Sequence, residues 1–143
     1  MKKITFAFLA SVLLALTSLQ ADPGSGIQGN APQVAQTNPV EVYYFHMTRR
    51  CMTCQTVEKV AGEAVTEQFK DAVDKGQIVF KSVNIEDKAN KALLKKLKVS
   101  GQSLLIVKGN EKIDITDKGF LYAVNEPEKL KSEIKTNIQK FMK

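Results

Sequence analysis

Apolar residues follow two rhythms along this chain. From Val40 to Phe45 the run is almost wholly β-favouring, the pattern of a strand buried on both faces. Beyond residue 54 the spacing becomes helical, with Val57, Val60, Ala61, Ala64, Val65 and Phe69 on one stripe until Gly76 breaks it. Ile78 to Ile85 reads as a second strand, alternating in its first half. Asp87 can cap a short helix through Leu97, with Ala89, Ala92, Leu93 and Leu97 facing inward. Ser103 to Val107 is a third strand; Gly109-Asn110 supplies a turn, and Lys112 to Ile115 returns as a hairpin. A last helix has Asn125 as its cap, Pro127 in its first turn and Leu130, Ile134, Ile138 and Phe141 as its buried stripe. The order β-α-β-α-β-β-α predicts an α/β domain, a central mixed sheet of about four strands flanked by helices. Helical connections between the first three strands imply parallel crossovers, and the hairpin adds an antiparallel edge.

The N-terminal segment has a different character. Lys2 and Lys3 precede a short apolar stretch from Ile4 to Leu16, and Ala21 closes it, so residues 1–21 read as a signal peptide too short to span a bilayer. Leu19 stands where a small residue favours cleavage, so an uncleaved leader acting as an anchor is the one route to a membrane. Residues 22–38, rich in Gly, Pro, Gln and Asn, read as a flexible linker, and the domain occupies 39–143. Loss of the leader removes Lys2 and Lys3 and lowers the formal charge from +6 to +4. That modest excess is spread among lysines without interleaved aromatics, so it does not justify a nucleic-acid reading and fits a solvated basic surface. Neither an internal repeat nor a flavin, nucleotide or haem motif appears.

Candidate chemistry gathers at Cys51-Met52-Thr53-Cys54, which holds the only two cysteines of the chain. A strand, then two thiols three apart, then a helix is a setting that activates a redox thiol. Cys51 would be the attacking thiol and Cys54 the resolving one. The helix N-terminus, with Arg49 and Arg50 beside it, would favour a Cys51 thiolate. A purely structural disulfide would close only a four-residue loop, worth roughly 2 kcal/mol before strain. A structural zinc site needs four ligands, so two thiols and one His would require two chains. Copper is the stronger rival: His46, Met47, Cys51, Met52 and Cys54 bring imidazole, thioether and thiolate together, and soft sulfur ligands select Cu(I).

The strand–Cys-x-x-Cys–helix order resembles the thioredoxin fold over about Pro39 to Met142. The stretch from Val42 through Cys54 is similar to a small exported branch of that superfamily, often labelled a nitrophenyl-compound nitroreductase subunit family and associated with arsenic-handling operons. Three positions depart from thioredoxins: Arg50 stands where they usually place Trp, Phe45 where they bury an acid, and Gln102 where they carry a cis-proline. The resemblance implies that Met52, Thr53, Gln102 and Ser103 line a substrate groove. It also implies thiol–disulfide exchange with a protein substrate, using a redox-active disulfide and no bound cofactor. A membrane or periplasmic redox partner would renew the pair, in the periplasm of a Gram-negative cell. The alternatives are a Cu(I) metallochaperone and a non-catalytic binding module that kept the fold.

Overall fold

The structure, a computed structural model, describes residues 38–143, so the leader and all of the linker but Asn38 lie outside the described residues. Strand β1 (Val40–His46) leads into α1 (Met52–Gln68), a single turn of helix α2 (Lys70–Asp74) and β2 (Ile78–Asn84). A 3₁₀ turn at Lys88–Asn90 opens α3 (Lys91–Leu97). The hairpin β3 (Ser103–Lys108) and β4 (Glu111–Asp114) follows, then α4 (Thr116–Tyr122) and α5 (Pro127–Phe141). The four strands form one mixed sheet in the order β2-β1-β3-β4.

β2 lies parallel to β1, but β3 runs antiparallel to it, contrary to the expectation of parallel crossovers throughout. Helix length decides the difference. The seventeen residues of α1 rise about 25 Å, the length of a strand, and carry the chain back to the start of the sheet. The seven residues of α3 rise only about 10 Å. At its end Lys98 takes a left-handed conformation (φ 54°), and residues 99–102 return the chain to the edge it left. Both the exit from β2 and the entry to β3 therefore adjoin the C-terminal end of β1: Ile85 N–H donates to the His46 carbonyl at 2.8 Å, and Ser103 pairs with Phe45.

Burial on both faces of β1 is borne out. Val40, Val42 and Tyr44 join Leu104 and Ile106 of β3 under α1, α4 and α5, where Val57, Ala61, Val65, Leu130, Ile134 and Ile138 complete the larger core. Tyr43 and Phe45 face the other way, with Leu105, Val107, Val83 and Leu97. Lys131 of α5 reaches Glu63 and Glu67 of α1 at 3.4 and 2.9 Å, an ion-pair clasp between the two longest helices.

Three local expectations change. Asp87 does cap, accepting from the Ala89 amide at 2.9 Å, but it caps the 3₁₀ turn. That tighter winding shifts the phase, so Ala89 and Ala92 are exposed and Leu94 packs inward with Leu93 and Leu97. The N-cap of α5 is Glu126, not Asn125, because Pro127 at the first helical position holds the residue before it out of the helix (φ −137°, ψ 58°). Helix α4 was not anticipated: it buries Gly119 and Tyr122, with Ile115 and Ala123 flanking it, and a glycine is a poor marker of helix in sequence.

Candidate functional site

Both cysteines stand where β1 hands the chain to α1. The connecting loop is tied to the start of the α3 connection: Thr48 N–H donates to Glu86 Oε2 at 2.7 Å, and Asn84 Nδ2 donates to Thr48 Oγ1 at 2.9 Å. His46 Nδ1 lies 2.9 Å from the Met47 carbonyl, which can only accept, so that nitrogen carries a proton. The ring is engaged within its own loop.

Cys51 is the N-cap of α1, in extended conformation (φ −78°, ψ 168°), and its sulfur accepts from the Cys54 amide at 3.4 Å. No acidic side chain occupies the first turn, so the positive end of the helix is uncompensated. Cys51 is exposed, Cys54 is buried, and both are free thiols with their sulfurs 2.6 Å apart. A hydrogen bond from the Cys54 side chain, followed by the amides of Cys54, Thr53 and Cys51 itself, lowers the Cys51 thiol below its ordinary value. The result is one exposed sulfur held toward its nucleophilic form, with a sheltered sulfur within bonding reach.

The arginines sit differently from what the sequence implied. Arg50 forms an ion pair with Glu58 in the second turn of α1, so its charge is largely balanced there rather than offered to Cys51. Arg49 is exposed. Backbone amides and the second thiol are the groups that act on Cys51. Met52 is 77 % exposed next to it, and Thr53 is half-buried.

Gln102 is brought to the pair directly. Its Nε2 lies 3.4 Å and its Oε1 3.7 Å from Cys54 Sγ. Ser103, by contrast, turns its hydroxyl to the Gly101 carbonyl at 3.2 Å and closes its own loop. Phe45 lies on the α3 side of the sheet, away from α1. The side chain that β1 presents on the α1 side is Tyr44, fully buried, with no hydrogen-bond partner for its hydroxyl among the described residues. Burial first, and then the proximity of Cys54, keeps that phenol protonated well beyond its ordinary range. In sequence the Tyr43-Tyr44 pair reads as core and sheet packing. Strand alternation tells the two apart: only one of them can face the helix that begins at Cys51.

A hollow of about 820 Å³ opens elsewhere, lined by residues including Val40, Gln77, Gly109 and Phe141. Neither it nor a smaller hollow beside Lys96 and Lys112 includes a cysteine. Among the described residues, no three His, Cys, Asp or Glu side chains gather as a metal site. Comparison with known protein families finds no match to this chain, and a search of curated proteins finds none.

Proposed function

We propose that this chain is an exported, thioredoxin-like thiol–disulfide exchange protein acting on cysteines of protein partners. The observation that carries the reading is the asymmetry of the pair: Cys51 exposed and lowered in pKa at a helix cap, Cys54 buried with its sulfur 2.6 Å away. In the reducing direction the Cys51 thiolate attacks a substrate disulfide, forming a mixed disulfide and expelling one substrate sulfur, which takes a proton. Cys54 then loses its proton and attacks Cys51 Sγ. The second substrate sulfur leaves, the Cys51–Cys54 disulfide forms, and two electrons have passed to the substrate. An oxidant runs the same steps in reverse. Because Cys51 is exposed at the molecular surface, a protein partner presenting its own sulfur can reach it.

Trapping tests the reading. Cys51→Ser is expected to abolish mixed-disulfide formation, whereas Cys54→Ser is expected to accumulate it, read by non-reducing electrophoresis and mass spectrometry. Full exchange activity in both variants would sink the proposal. A second reading, a Cu(I) carrier, draws on the exposed Met52 thioether beside the thiols. It predicts tight Cu(I) binding by the reduced protein that weakens in Met52→Ala, measured by competition with a Cu(I) chelator.

A further inference from the structure

Cys54 is 4 % exposed, so water contributes little to its hydrogen bonding, and the groups touching its sulfur influence which redox form it prefers. Among the described residues its hydrogen-bonding neighbours are Cys51 Sγ and the side-chain amide of Gln102, whose donor and acceptor ends both reach the sulfur, at 3.4 and 3.7 Å. In the dithiol form the Cys54 lone pairs accept from the Nε2 hydrogen, and the single Cys54 S–H can go to Oε1 whenever it is not donated to Cys51 Sγ. In the disulfide the S–H is gone and the sulfur is a poorer acceptor. The amide is therefore matched to one redox state and underused in the other.

Contacts other than the thiols hold the segment that carries Gln102. Ser103 pairs with Phe45 in the sheet, and Leu104 N–H donates to Thr116 Oγ1 at 2.9 Å. Thr116 is itself fixed by Asp114 Oδ1, which accepts from its amide and its hydroxyl at 2.9 and 2.6 Å. The start of β3 is thus clamped to α4, so the backbone that carries Gln102 does not depend on the sulfur for its position.

We infer that Gln102 biases the Cys51–Cys54 pair toward its dithiol form and so raises its reduction potential, a role whose use rests on the exchange reading above. The equilibrium is written with glutathione: the Cys51–Cys54 disulfide and two glutathione thiols give the dithiol and one glutathione disulfide, with two electrons and two protons passing to the cysteines. Gln102→Met keeps the length of the side chain and removes both polar ends. It is expected to lower the equilibrium constant for reduction about three- to tenfold, or about 15–30 mV. Gln102→Glu loses the donor but keeps an acceptor for the Cys54 S–H, and is expected to lower the constant less than Gln102→Met does. Gln102→Ala, which removes the amide without adding bulk, repeats the measurement if the Met variant does not fold.

A Met (or Ala) variant within about twofold of wild type would overturn the inference, since the donor contact is taken to be worth more than that. A shift confined to Gln102→Glu would overturn it too, because charge alone would then be acting. The constant can be measured whether or not the protein turns over a substrate. An inert wild type with the Gln102 shift intact would sink only the exchange reading. Active exchange with no shift would sink only the role of Gln102.

Discussion

The Cys51 thiol is held down by contacts a single residue can report on. Its largest partner is the Cys54 side chain, and the amides of the first helical turn come after it. Alkylation by iodoacetamide followed against pH is expected to place the Cys51 midpoint below the ordinary thiol value of 9.0. In Cys54→Ala the midpoint should rise, because the leading contact is lost, yet stay below 9.0, because the amides remain. A wild-type midpoint at or above that value would remove the basis for a nucleophilic Cys51. The sign for stability follows from the same shift. A depressed thiol binds fewer protons folded than unfolded in the window between its two values, so the reduced protein gains stability as pH rises through that window. The gain is lost as pH falls through the folded value, which a urea titration of reduced protein at several pH values would record.

At the level of elements, the site depends on a helix that the hydrophobic pattern hid. Helix α4 lies close against α1 and β3 because Gly119 has no side chain: a Cβ there would meet Leu104 Cδ2 at 3.2 Å and Val57 Cγ1 at 3.3 Å. Gly119→Val should therefore destabilise the fold by about 1–3 kcal/mol through overpacking, seen as a lower urea midpoint. An unchanged midpoint would mean that α4 is free to move away, and that its clamp on Leu104 does not position Gln102. From β1 through the hairpin the order was otherwise legible, because β1 and β3 are near-continuous apolar runs and α1 carries a clean stripe; the break at Phe69 that sets α2 apart from α1 was not. The direction of β3 was not legible, since it turns on the rise of α3 compared with the length of a strand.

Across the molecule, stability and chemistry occupy different parts of one sheet. The main core and the clasp of Lys131 on Glu63 and Glu67 bind α1 to α5 along its body, while the thiols stand at its N-terminal end. Tyr44 is where the two meet, a fully buried side chain on the α1 face whose hydroxyl has no partner among the described residues. Removing an unsatisfied buried hydroxyl relieves a desolvation penalty, so Tyr44→Phe is expected to leave stability unchanged or raise it by about 1 kcal/mol. A loss larger than that in urea unfolding would show that the hydroxyl has a partner in solution.

What the sequence determined by itself is the material of the site: two thiols after a strand buried on both faces, at the start of an amphipathic helix. Local patterns suffice for this, because burial periodicity and helix capping act over a few residues. The tertiary structure alone decided which groups serve those thiols. It paired Arg50 with Glu58, turned Ser103 onto its own loop, and set Phe45 on the far face and Tyr44 on the near one. It also carried Gln102 across forty-eight positions of chain to touch Cys54. Contacts at that separation follow from the order and direction of strands, which a single sequence encodes only through the packing of the whole.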